Sequence, residues 1–244
     1  MRAFTLFTSA LLLLSSGRTL ACTPGNSTNN TEVFAFGPDE YPPLETIGWN
    51  INHFSLFVND LAASLEFYVN VLGMRRIFTY TPTPDFKLIY LGYPSGGRNG
   101  TGYQTPPEML RDKNNMQGLI ELLWIRPAAT DPPRATAPAS SDTTNTFSHY
   151  GLVVPDMAVA RQRLINSGVK VYKDVGADFD PATGDPGYPN AYGGGLLPAG
   201  SKKDAILQGI FAGFRGIGGL AYMIVEDPDG NIIEVTPFID PLKL

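Results

Sequence analysis

The 244-residue chain is short of the residue types that most often staple a fold or advertise chemistry: one cysteine, two histidines and two tryptophans. A lone Cys22 excludes an intramolecular disulfide, so the fold must rest on a packed core. Charged residues make up only 17% of the chain and sum to −5. No run of lysine or arginine occurs, and without basic clusters nucleic acid is excluded as a partner class. Hydrophobic residues, at 43%, suffice for one double-module domain. The N-terminal apolar stretch is too short and too interrupted for a comfortable membrane span. Arg2 precedes it, and the small residues Thr19 and Ala21 close it. That pattern predicts a secretory signal peptide over 1–21, cleaved after Ala21, rather than a membrane anchor. A lipoprotein signal ending Leu20-Ala21-Cys22 is the alternative, although Thr19 stands where such signals favour a large aliphatic residue. Sequons at Asn26, Asn29 and Asn99 fit glycosylation in the secretory pathway.

What the chain does contain is a repeat built around those two histidines. His53-Phe54-Ser55-Leu56-Phe57-Val58 and His149-Tyr150-Gly151-Leu152-Val153-Val154 each carry a valine five residues after the histidine. Asp60 and Asp156 follow at seven residues, then a helical pattern, then Gly73 and Gly168. Two copies are too few for a solenoid and predict a duplicated α+β module, with the imidazoles meeting near a pseudo-twofold axis. Asp60 and Asp156 are expected to cap the helices. First-module strands are expected over 51–58, 74–79, 86–93 and 119–125, with a turn-rich loop over 94–117. In the second module they are expected over 146–154, 169–173, 220–226 and 232–237. This divides the chain into a disordered leader (22–46), a first module (47–126), a Pro/Ala/Ser/Thr linker (127–145) and a second module (146–240). A Gly/Pro-rich insertion over 174–215 reads either as a substrate-binding loop or as a surface excursion.

Each module also places a glutamate in an apolar strand: Glu121 in Gly118-Leu119-Ile120-Glu121-Leu122 and Glu234 in Asn231-Ile232-Ile233-Glu234-Val235. A carboxylate there either faces solvent or is buried with a partner, because burying it alone is prohibitively costly. Its recurrence beside a first-strand histidine in both modules favours a metal set of His53, Glu121, His149 and Glu234. Imidazole and carboxylate together suit one divalent ion of the Zn, Ni, Co, Fe or Mn kind.

The stretch from His53 to Met74 resembles the opening of glyoxalase I and its relatives in the vicinal oxygen chelate superfamily. Gly219 to Val235 resembles the closing hairpin. The likeness implies an α+β fold of two βαβββ modules forming a cupped mixed sheet, with the same four residues around a metal. Three positions that hold glutathione in glutathione-using glyoxalases differ, being Phe57, Ile125 and Asn145 in this chain. The expected function is therefore a secreted, metal-dependent lyase, isomerase or epimerase acting on a small oxygenated metabolite, independent of glutathione. The ion would stabilise an enolate-type charge, and Glu234 or Glu121 would move the proton. Phe57, Trp124, Ile125 and Phe147 would line the pocket. The alternatives are an extradiol-type Fe(II) dioxygenase using His53, His149 and Glu234, and a non-catalytic ligand-binding protein. Expected partners are a small-molecule substrate and at most a second copy, as monomer or homodimer.

Overall fold

The computed structural model describes residues 37, 41–96, 103–128, 130, 146–180, 182, 186–197, 200–215 and 218–238. The signal peptide, most of the leader, most of the linker, Cys22, Asn26, Asn29, Asn99 and Asn145 lie outside them.

Both copies of the repeat fold alike. Strand β1 (His53–Phe57) leads into α1 (Leu61–Leu65), which continues as a π-helical turn over Glu66–Val71. Asp60 caps α1 by accepting from the Ala62 and Ala63 amides at 2.9 and 3.1 Å, satisfying two of the orphan donors of the first turn. Strands β2 (Arg75–Thr83), β3 (Phe86–Gly92) and β4 (Leu119–Ile125) follow, giving the sheet order β1-β4-β3-β2 with β1 and β4 parallel. In the second copy β5 (Tyr150–Val154) leads to α3 (Met157–Asn166), capped by Asp156 on the Val159 amide at 3.0 Å. Strands β6 (Val171–Lys173), β7 (Met223–Glu226) and β8 (Ile232–Pro237) complete the sheet order β5-β8-β7-β6, with β5 and β8 parallel. Gly73 and Gly168 end the two helical stretches at φ +78° and +72°, a conformation glycine adopts without penalty.

Strand alternation gives each sheet two faces with different work. Leu56, Ile89, Leu91, Ile120 and Leu122 of the first sheet and Met223, Val225, Ile233 and Val235 of the second share one core with Phe67, Tyr68 and Leu164 from the helical segments. The modules lock there. Phe54 and Tyr150, each directly after its histidine, touch with ring centroids 5.0 Å apart. Tyr68 donates to Asp227 Oδ2 at 2.6 Å and lies 2.9 Å from the Tyr150 hydroxyl. Asp229 Oδ1 accepts from the Asn59 amide and side chain at 3.0 and 2.9 Å. The Asp227-Pro228-Asp229-Gly230 turn thus feeds β8 and also clamps the second module to the entry of α1. Burial raises the Asp227 carboxyl above its usual range.

The structure differs from the sequence expectations mainly in what covers the opposite faces. The expected loop over 94–117 contains α2 (Pro106–Asp112), closed at its start by a reciprocal Thr105/Glu108 capping box. Met109 and Met116 from this region pack on Ile77, Tyr90 and Leu119. The strand expected from Thr146 begins only at Tyr150. The insertion contains α4 (Gly187–Asn190) and the 15-residue α5 (Ser201–Arg215). Its Tyr188, Ala191, Leu207 and Phe211 bury against Tyr222, Ile224 and Ile232 of the second sheet. The insertion is therefore the missing layer of that sheet's second face. Gly187 permits its close approach, since a Cβ there would stand 2.2 Å from the Tyr172 ring.

Lys173, 3% exposed, donates to the Tyr222 carbonyl at 2.7 Å and lies 4.2 Å from that residue's ring centroid. Burial lowers its pKa to about 8 from 10.5. With the folded value below the unfolded one, the neutral amine contributes stability above pH 10.5 that is lost as pH falls through about 8. Denaturant titrations between these limits are expected to show wild-type stability rising with pH relative to Lys173→Met. Parallel curves would contradict this.

Candidate functional site

The two histidines and two glutamates sit at equivalent positions on the second face. His53 opens β1 and Glu121 lies opposite Ser55 in the parallel β1–β4 register. His149 immediately precedes β5, and Glu234 lies opposite Gly151 in the β5–β8 register. In both copies the histidine stands two residues before the position facing the glutamate, so the backbone repeats the arrangement by pseudo-symmetry.

The orientation of both imidazoles follows from their partners. Asn52 donates through Nδ2 to the Lys113 and Met116 carbonyls at 2.7 and 2.9 Å, which leaves its Oδ1 as an acceptor only. The His53 Nδ1, 3.1 Å from that Oδ1, is therefore the protonated nitrogen. The Tyr90 hydroxyl lies 3.1 Å from His53 Nε2. His149 Nδ1 donates to the Ala191 carbonyl at 2.8 Å, a carbonyl also bonded by Ser148 Oγ at 2.5 Å. His149 Nε2 is left 3.7 Å from Glu234 Oε2, beyond hydrogen-bond reach.

Each glutamate is engaged as well. Ser55 donates to Glu121 Oε1 at 2.9 Å. Tyr90, the cross-strand neighbour of Glu121, also interacts with its carboxylate. Burial, reinforced by Glu121, pushes the Tyr90 phenol up to about 12 and keeps it a donor at neutral pH. In the second module Tyr192 donates to Glu234 Oε2 at 2.5 Å. Burial, then the bond to Glu234, drives the Tyr192 phenol far above its ordinary value. Adjacent residues of the insertion, Ala191 and Tyr192, therefore hold His149 and Glu234 respectively.

The four expected ligands accordingly stand as two half-sites. Among the described residues no three His, Cys, Asp or Glu side chains gather closely enough to hold one ion. The Tyr90 and Tyr192 hydroxyls engage His53 and Glu234 instead. Sequence reasoning missed both tyrosines. The β3–β4 register could have pointed to Tyr90, whereas nothing local marks Tyr192. The donor chemistry still fits a divalent metal. Both imidazoles have Nδ1 tied to an amide-type oxygen, the support that orients a histidine to ligate through Nε2.

The expected pocket residues separate. Phe57, Ile125 and Phe147 are 56%, 43% and 37% exposed, with Phe57 and Ile125 on the same faces as His53 and Glu121 by strand alternation. Trp124 is a correction. It lies three residues from Glu121, an odd offset that turns it to the other face, where it packs on the shared core. Lys87 and Arg126 lie 5.6 and 5.7 Å from its ring centroid. A cavity of about 190 Å³ opens instead beside Glu234, between β8 and the insertion. Two larger cavities, about 290 and 360 Å³, include none of the four candidate ligands in their walls.

The strand order, duplicated module and parallel pairing define an α+β fold of the glyoxalase type. The model of the Glyoxalase/Bleomycin resistance protein/Dioxygenase superfamily matches residues 50–183, more than half of the chain. The chain belongs to that superfamily, the vicinal oxygen chelate group, whose members include both enzymes and non-enzymatic proteins. Among solved structures it is similar to the trypanothione-dependent glyoxalase I of Leishmania major, at 16% identity over 78% of this chain and 87% of that one, TM-score 0.41. It is also similar to a Zea mays glyoxalase I mutant, at 14% identity over 76% and 43%, TM-score 0.43. An antibiotic-binding protein from Streptomyces matches at 16% identity over 78% and 95%, TM-score 0.35. No curated protein matches the sequence. Among the described residues no helix is long and apolar enough to cross a membrane.

Proposed function

We propose that this chain is a metal-dependent, glyoxalase-like enzyme that moves a proton on a small oxygenated molecule without using glutathione. One observation carries the reading: both histidines are held through Nδ1, which leaves Nε2 as the ligating nitrogen, each on the face that carries its module's glutamate. His53, Glu121, His149 and Glu234 would hold the ion. When bound, it would supply Lewis acidity that stabilises negative charge on a substrate oxygen. Exchange of the Tyr90 contact with His53 Nε2 for a ligand bond would accompany uptake, with Tyr192 still orienting Glu234. Glu234 is the preferred proton carrier. With Tyr192 donating to Oε2, Oε1 is left to remove a proton from carbon and return it at a neighbouring atom. Phe57 and Ile125 stand where charge-assisted contacts to glutathione would be needed, each such bond being worth roughly 1.5–3 kcal/mol. The signal peptide expected over 1–21 supports a place in the secretory pathway, and the duplicated module allows a monomer or a homodimer.

Elemental analysis and calorimetry of the mature protein test this reading. About one Zn, Ni, Co, Fe or Mn ion per chain is expected, with affinity falling at least a hundredfold in His149→Ala. If the wild type takes up none of the five, the proposal fails.

A further inference from the structure

The insertion does more than cover β6–β8, because together with the sheet it walls the cavity beside Glu234. Tyr192 and Phe214 come from the insertion and Tyr222 precedes β7, giving three aromatic residues in the lining. Tyr192 and Phe214 lie with ring centroids 4.8 Å apart. Gly218, Gly219 and Ala221 add almost no side-chain bulk. Gly219 is pinned against α5, since a Cβ there would fall 2.6 Å from the Phe214 carbonyl oxygen. The volume is about 190 Å³, where a cavity of about 150 Å³ suffices for benzene. Among the described residues lining it, Glu234 alone is charged, and no lysine or arginine is present. An anionic ligand would therefore meet a carboxylate, and no cation lines the cavity to offset it. Among the described residues no hydrogen bond reaches Glu234 Oε1, while Oε2 accepts from Tyr192. That leaves one acceptor for a donor on the ligand. An ammonium would compete with Lys173, whose amine already lies 4.2 Å from the Tyr222 ring centroid and interacts with Glu234.

We propose that this cavity binds one uncharged aromatic ring carrying a hydroxyl, which donates to Glu234 Oε1 while Phe214 and Tyr222 flank the ring. The assignment rests on the proposed function only in taking Glu234 as the reacting group, since the binding itself needs no ion. It names the substrate class as a hydroxylated aromatic, or an equally flat enol, rather than an acid or an amine.

The test uses the full mature protein after chelation, with phenol, benzoate and benzylamine as probes in ligand-observed NMR titrations. Phenol is expected to bind at least tenfold more tightly than either charged probe. Ala221→Leu, which fills the cavity, should reduce phenol affinity at least tenfold, and Thr236→Leu, at the lining position of β8, is the second filling variant if the first melts early. Absence of phenol binding, equal binding of benzoate, tighter binding of benzylamine, or indifference to both filling variants would each overturn the assignment. Because the protein is metal-free here, a failed metal analysis leaves a positive phenol result standing, and a failed phenol titration leaves the metal result untouched.

Discussion

Phe211→Ala is expected to destabilise the protein by about 3–5 kcal/mol, the cost of removing a fully buried aromatic side chain. Phe211, 2% exposed, anchors the insertion on the second sheet. Its ring centroid lies 4.5 Å from that of Phe179, 4.4 Å from Tyr188 and 5.6 Å from Tyr192. For a chain of this size the midpoint of thermal unfolding should fall by on the order of 10 °C. Lys202→Ala, at an exposed position of the same helix, should leave it within a degree or two. If the insertion were a loose excursion rather than a packed layer, the two variants would melt alike. That outcome would also remove the structural basis for the cavity beside Glu234.

Tyr192→Phe separates the chemistry of the site from its packing. The ring stays in the aromatic cluster with Phe211, Phe214 and Tyr222, so unfolding should shift by no more than about 1 kcal/mol, the usual net worth of one hydrogen bond. The hydroxyl on Glu234 Oε2 is lost. Loss of such an outer-shell contact typically weakens a metal site by about 10–100-fold. Calorimetric titration with the ion found in the wild type reads this directly. Unchanged affinity beside an unchanged fold would show that Tyr192 does not orient Glu234. Tighter binding would mean that the hydroxyl competes with the ion.

The repeat was legible because its signals are local. Asp60 and Asp156 cap where a short acceptor side chain must, and Gly73 and Gly168 end the helical stretches where φ turns positive. The placement of Glu121 and Glu234 opposite Ser55 and Gly151 is not local. It depends on the parallel register of strands more than 60 residues apart, which the resemblance implied and composition alone did not. α5 was missed because glycines at 209 and 213 dilute its helical pattern, and what holds it is burial of Leu207 and Phe211 against another element. The assignment of Trp124 to the pocket failed on simple parity, since apolar character does not say which face of a strand a side chain takes.

By itself, the sequence determined the duplication and the superfamily, because capping residues, turn glycines and strand alternation act within a few residues of chain. Only the tertiary structure decided that the insertion packs as a layer, that Ala191 and Tyr192 hold His149 and Glu234, and that Tyr90 bonds His53. Those contacts join segments some 37 to 42 residues apart, and they form only after the sheets and helices have fixed where each donor and acceptor lies.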